Sequence, residues 1–240
     1  MPRFFTEEIS GGTAVVTGDD FAHISRVLRM KPGEALTVCD LKGTDHDCSI
    51  LRFEADRVVL SIVESRPSMT EPSVAITLYQ ALPKADKMEL IVQKAVELGA
   101  SDVVPVLTAR CVSRPDEKSM NKKLERYNKI AFEAAKQSGR GKIPRVHPVL
   151  SFEKAIRKMA EDSLALLFYE KARSPLMTLL PRRFLSVSVM VGSEGGFEEA
   201  EAAAAEEAGI SLASLGPRIL RCETAPIAAL SALLYHSGNF

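Results

Sequence analysis

Along the first seventy residues the apolar positions fall in short runs. Residues 13–17, 35–40, 45–53 and 57–63 are dense in Val, Ile, Leu and Thr, and Gly11-Gly12, Pro32-Gly33 and Gly43 punctuate them. This pattern predicts a small β-barrel. A helical stretch interrupts it, with Asp19-Asp20 as cap, Phe21, Ile24, Val27 and Leu28 on one face, and Arg26 and Arg29 projecting elsewhere. Residues 65–72, with two prolines among small polar side chains, have the composition of a linker.

From Val74 the period changes. Apolar strands at 74–82, 103–108, around 146–150, 164–169, 185–191 and 211–215 alternate with helices at 86–98, 121–138, from Phe152, near Leu176, at 198–208 and at the C-terminal end. The helix at Asp86 opens with a capping-box-like Asp86/Glu89 pair and stops at Gly99. Thr224 reads as the N-cap of the last helix, with Pro226 in its first turn. Alternation on this scale predicts an α/β domain with a parallel sheet over residues 74–240, following a β-rich domain over 1–70.

The last helix has an unusual face pattern. Ile227, Leu230, Leu233 and Leu234 follow helical spacing, Ala228, Ala229 and Ala232 fill the rest, and no charge occurs from Thr224 to Tyr235. Such a helix is expected to be covered on all sides, by its own domain or by a second subunit. It falls short of the roughly 20 apolar residues that span a bilayer, so no membrane partner is expected.

Composition narrows the function classes. Thirty-one Lys and Arg balance thirty-one Asp and Glu, so any polyanion site must be a local patch. Residues 110–145 supply one: eleven Lys or Arg, among them Arg110, Arg114, Lys122, Lys123, Arg126 and Arg140, stand against four acids. With Arg3, Arg26 and Arg29 they are candidates for one RNA face; the alternative is a solvated surface. The four cysteines form no C-x-x-C pair, which predicts reduced thiols in a cytoplasmic protein. His23, His46, His147 and His236 show no ligand spacing, and no metal is expected.

Two glycine-bearing loops each follow a predicted strand and lead into a helix: Gly192-Ser193-Glu194-Gly195-Gly196, and residues 215–225, Leu-Gly-Pro-Arg-Ile-Leu-Arg-Cys-Glu-Thr-Ala. Glycine lets a ligand approach the backbone, and the amides at the next helix start suit polar groups. Neither loop is a P-loop or a dinucleotide fingerprint, and Ser193 lacks the G-x-S-x-G context of a nucleophile elbow.

Taken together, these segments resemble the ribosomal RNA methyltransferases that modify N3 of uridine 1498 in 16S rRNA, within the SPOUT superfamily. The resemblance runs from Met1-Pro2-Arg3-Phe4-Phe5 through His23-x-x-Arg26-Val27-Leu28-Arg29-Met30, Lys84-x-x-Lys87-Met88-Glu89 and Ala134-Ala135-Lys136-Gln137-Ser138-x-Arg140 to both loops. Ser193 stands where the family pattern has Pro. The resemblance implies a PUA-like N-terminal barrel, a C-terminal domain with a deep trefoil knot, S-adenosylmethionine as donor, the small ribosomal subunit as partner, and a homodimer. It places the cofactor against Gly192, Glu194, Gly195, Gly196, Leu215, Gly216, Ile219 and Leu220. Uracil N3 must lose a proton, which makes Glu223 the candidate acceptor and Arg221 the candidate for offsetting charge on the uracil carbonyls; the alternative is that the two pair only to hold their loop. A non-catalytic RNA-binding or ribosome-assembly protein remains the alternative at the level of function.

Overall fold

The structure is a computed structural model and describes residues 1–240. The chain divides into two compact units, residues 1–71 with 135–143, and residues 72–134 with 144–240. None of its helices is long and apolar enough to cross a membrane.

The first unit is built on one six-stranded sheet. Its elements are β1 (Arg3–Phe5), β2 (Ile9–Ser10), β3 (Thr13–Thr17), α1 (Gly18–Ala22), β4 (Ala35–Cys39), β5 (Thr44–Phe53) and β6 (Arg57–Pro67), with sheet order β1-β4-β5-β6-β3-β2. β1 runs parallel to β4 and the other pairs are antiparallel. Alternate residues point inward, so Ala14, Val16, Leu36, Val38, Ile50, Val58 and Leu60 join Phe4 and Ile24 in a single buried cluster. Two register shifts between β5 and β6 bend this long hairpin.

Several local expectations change here. β1 and β2 are additional strands, too short to leave a periodic signal. Residues 65–67, read as linker, continue β6 and pair with the start of β5, Pro67 occupying the last strand position. After Ala22 the helix loosens into a π-turn over His23–Val27, with Leu28 N–H donating to the His23 carbonyl at 2.9 Å. The wider turn breaks the 3.6-residue period, so Ile24 stays fully buried while Val27 and Leu28, expected on the same face, turn outward.

Arg3 and Arg140, candidates for RNA contact, are internal to this unit. Arg3 pairs with Asp45 at 2.8 Å and also donates to the Gly139 and Arg140 carbonyls. Arg140, 4% exposed, pairs with Glu71 at 2.6 Å. The same carboxylate accepts the Gly141 and Lys142 backbone N–H groups at 2.8 and 3.1 Å. Burial alone is the largest influence on Glu71 and opposes its charge, but the Arg140 guanidinium and these two amides outweigh it and hold the carboxyl below its ordinary value of 4.5. Its folded-state value is therefore depressed, and its contribution to stability is present above pH 4.5 and lost as pH falls through the folded value.

The second unit carries β7 (Ala75–Ala81), α2 (Lys87–Glu97), β8 (Asp102–Leu107), β9 (Arg145–Val146), β10 (Leu150–Ser151), α4 (Phe152–Met159), β11 (Ala165–Phe168), α5 (Leu176–Leu179), β12 (Ser186–Val191), α6 (Glu199–Glu207), β13 (Ser211–Ala213) and α7 (Thr224–His236). Helix α3 (Glu117–Ser138) begins four residues before the sequence pattern places it. All strand pairs are parallel, in the order β10-β8-β7-β12-β11-β13 with β9 also on β8. A core that includes Val104, Val106, Phe152, Met159, Leu167, Met190 and Phe197 lies within this unit. α2 and α7 pack on each other, burying Met88, Ile91, Val92, Ala95 and Val96 from the first and Ala229, Leu230, Leu233 and Leu234 from the second.

Helix ends differ in detail from the sequence reading. Asp86 sits at φ −94°, ψ 11° instead of the extended geometry of a capping residue, and its carbonyl, not its side chain, receives the Glu89 N–H. Gly99, at φ +98°, ends α2 as expected. Glu223, not Thr224, occupies the N-cap of α7. Pro226 then falls within the first turn, where its missing N–H costs nothing. α7 is not covered all round by its own chain: Thr224 and Tyr235 are exposed, and Ile227, Ala228 and Ser231 half-exposed.

Glu71→Gln removes the charge opposite a buried guanidinium and is expected to destabilise the protein by about 3 kcal/mol near neutral pH. Denaturant melts of both proteins from pH 7 down to 3 check this, and the difference should shrink toward the acid end. A difference that persists unchanged at pH 3 contradicts the assignment.

Candidate functional site

In a parallel sheet every strand releases the chain at the same edge. β7, β12, β11 and β13 are consecutive in the second unit's sheet. The segments that follow them, residues 82–87, 192–196, 169–173 and 214–222, are thereby delivered side by side. Between them lies a cavity of about 770 Å³, the size range of small-molecule and cofactor sites. Both glycine loops line it, together with Lys87, Phe168, Tyr169, Glu170 and Arg173.

The first loop is a closed turn. Gly196 N–H donates to the Ser193 carbonyl at 3.0 Å, and the two residues form an isolated bridge. A Cβ on Gly192 would stand 3.0 Å from Gly196 Cα and 3.2 Å from the Phe197 ring, so a side chain there would push the turn open. Ser193 closes this turn without the proline of the family pattern; its hydroxyl is buried and lacks a hydrogen-bond partner. Arg110 lies beside the loop, its guanidinium donating to the Gly195 carbonyl at 2.9 Å. In the second loop Gly216 adopts φ +104°, and a Cβ there would meet nothing within 4 Å, so its backbone borders open space.

A charged cluster joins the loops. Lys87 Nζ lies 2.9 Å from Glu194 Oε1 and 3.3 Å from Glu223 Oε2. Glu194 also accepts the Lys84 backbone N–H at 3.2 Å, and the Cys222 thiol donates to Glu223 at 3.2 Å. That thiol bond is the largest influence holding the Glu223 carboxyl below the usual range, helped by its own backbone N–H and by Lys87. For Glu194 burial is the largest single influence and acts in the opposite sense, but Lys87 and the amides prevail and its carboxyl is also lowered. Hydrogen bonding to Glu194 raises Lys87. Burial pushes the Cys222 thiol up to about 12. At neutral pH this cluster therefore holds two carboxylates, one ammonium and an un-ionised thiol.

All eight residues expected around the cofactor line this cavity, as does Arg221; Glu223 does not line it and lies behind Lys87 and Cys222, which do. Glu223's ionic partner, however, is Lys87; Arg221 is exposed and forms no ion pair with it. Lys87, Phe168, Tyr169, Glu170, Arg173 and Arg218 join the site without being among the sequence candidates; of these, Lys87 stands in the Lys84-x-x-Lys87 segment that carries part of the family resemblance. Of the basic candidates, Arg114 folds back onto the Thr108 and Ala109 carbonyls, Arg126 pairs with Glu89, and Arg26, Arg29 and Lys122 are exposed. Lys123 is half-buried.

Family models describe the same two parts. Residues 70–234 match the RNA methyltransferase domain and residues 16–63 the RNA methyltransferase PUA domain. Fold and matches together define an RNA methyltransferase. Among curated relatives, the ribosomal RNA small subunit methyltransferase E of Bacillus subtilis is 37% identical, the alignment covering 99% of this chain and 97% of that one. Its namesake from Mycobacterium bovis is 33% identical over 93% of this chain and 87% of its own. The chain belongs to the ribosomal RNA small subunit methyltransferase E family. Among solved structures, the Neisseria gonorrhoeae member bound to S-adenosyl methionine superposes with a TM-score of 0.83 at 34% identity, covering 98% of this chain and 97% of that chain. A putative methyltransferase from Legionella pneumophila, in complex with the same cofactor, gives 0.81 at 31% identity over 97% and 96%.

All four cysteines are buried, and burial raises Cys39 and Cys48 to about 11 and Cys222 to about 12. A disulfide reagent at pH 8 is accordingly expected to leave the folded protein unmodified and to titrate four thiols in denaturant. Rapid reaction of any thiol in the folded state runs against this arrangement.

Proposed function

We propose that the protein transfers the methyl group of S-adenosylmethionine to N3 of uridine 1498 in the 16S rRNA of the small ribosomal subunit. The observation that carries this reading is the meeting, at the ends of four adjacent parallel strands, of two glycine loops and an ionised carboxylate cluster in a chain of this family. The cavity fits the cofactor: its volume suits a nucleoside-sized ligand, the backbone at Gly216 borders free space, and Phe168, Leu215 and Leu220 give apolar wall. The main chain of residues 192–196 and 215–220 would hold it. When bound, it supplies a methyl group activated by a sulfonium.

The chain's own residues have the remaining work. Uracil N3 lies on the Watson–Crick edge and carries a proton, so the base must be unpaired and the proton accepted. Glu223 accepts it, being ionised well into the acid range. Arg221, on the same loop, offsets charge on the uracil carbonyls. Residues 1–70 act in RNA capture and 74–240 in methyl transfer, with Arg26, Arg29, Arg110, Arg114, Lys122, Lys123 and Arg126 as the phosphate contacts. The protein works as a homodimer through the uncharged, incompletely covered strip of Thr224, Ile227, Ala228, Ser231 and Tyr235 on α7.

Incubation with S-adenosylmethionine and small subunits lacking the modification, followed by mass mapping, is expected to find one methyl group on that uridine; its absence overturns the reading. Replacing Lys122, Lys123 and Arg126 by Ala should weaken RNA binding and lower its salt slope by about 1 per lost phosphate contact. An unaltered slope returns those charges to a solvated surface. Light scattering should give twice the chain mass for the wild type and a monomer for Ser231→Arg.

A further inference from the structure

We propose that Lys87 is a positioning residue for methyl transfer: its ammonium, held between Glu194 and Glu223, fixes the Glu223 carboxylate as proton acceptor by tying it to the first glycine loop. The inference rests on the function proposed above, and goes beyond it by assigning a cation that supports the acceptor from a third loop.

The geometry is that of a tie. Glu194 belongs to the first glycine loop and Glu223 to the second, and Lys87 reaches both, at 2.9 and 3.3 Å. The segment before Lys87 contributes a second hold on Glu194 through the Lys84 N–H. The groups facing Glu223 are the Cys222 thiol, its own backbone N–H and Lys87. Those facing Lys87 are Glu194, Cys222 and Glu223. Only Lys87 among them bears positive charge, so nothing else in contact compensates the carboxylate.

Helix energetics argue against a merely incidental lysine. Lys87 is the first residue of α2, where the helix dipole and the free amides disfavour a cation. The turn that sets it there requires Ala85 at φ +53°, a conformation few residues other than glycine adopt without strain. Glu223 occupies the N-cap of α7, where an anion is favoured. The ammonium at the start of α2 thus sits between the carboxylate at the start of α7 and that of the first glycine loop. Without it, Glu223 keeps the thiol and its own N–H but loses the contact that ties it to the opposite loop.

The test is steady-state methyl transfer to small subunits lacking the modification, with wild type, Lys87→Met and Lys87→Arg compared across pH. Lys87→Met is expected to lower kcat about 100-fold with the KM for donor and RNA unchanged. Its acid limb should move to higher pH, because the carboxylate of Glu223 loses a neighbouring cation. Lys87→Arg should restore most of the rate. Unchanged kcat, a loss confined to the donor KM, or an acid limb superposing on that of the wild type overturns the proposal. If Lys87→Met does not fold, Lys87→Gln carries the same measurements; failure of both to fold makes Lys87 a fold-holding residue and likewise overturns it. A wild type that methylates nothing defeats the proposed function instead, whereas an active wild type beside an unimpaired Lys87→Met defeats only the role of Lys87.

Discussion

The shared direction of the strands in the larger sheet is the constraint from which the site follows. Because β7, β12, β11 and β13 are neighbours and parallel, segments more than a hundred residues apart in sequence leave the sheet at one edge. No loop has to reach far. Residues 192–196 and 214–222 need only turn, which is what their glycines permit, while the apolar strands beneath them are buried on both faces. An antiparallel sheet would send alternate connections to opposite edges and divide the same residues between two ends of the domain.

Electrostatics then decides what the assembled residues are. The cluster of Lys87, Glu194, Glu223 and Cys222 contains two acids, one base and one thiol; the thiol lowers Glu223, and Lys87 helps lower both acids. A carboxylate next to an un-ionised thiol and an ammonium is a weak base, but it is held charged at neutral pH. Burial makes the thiol a donor and removes it as a nucleophile.

Much of this was legible in the chain. The alternation of apolar strands and helices from Val74 gives the α/β unit, and the glycine loops announce themselves because each follows a strand and precedes a helix. What the pattern did not carry were pairings distant in sequence. Glu223 stands two residues from Arg221, and proximity along the chain suggests that pair, yet the ion pair forms with Lys87, 136 positions away. Arg140 sits within a dense basic stretch, and only the fold reveals Glu71 opposite it. The π-turn at His23–Val27 was invisible for a different reason: the hydrophobic period assumes a regular helix, and one widened turn moved Val27 and Leu28 out of register with Ile24. Charge and periodicity report a residue's type and its local face; they do not report its partner.

The backbone at Ala85 limits how this protein can drift. Its left-handed conformation allows the chain to pass from β7 into α2 within five residues. Glycine, asparagine and aspartate tolerate such a φ, whereas valine, isoleucine and threonine clash with their own main chain. A change to one of these branched residues at position 85 would strain the corner that leads into α2 while leaving every residue of the cavity in place in the sequence. Divergent members of the family could therefore retain each charged side chain and still lose the alignment, and the identity of one small, exposed, chemically inert residue becomes a marker of whether the corner is intact.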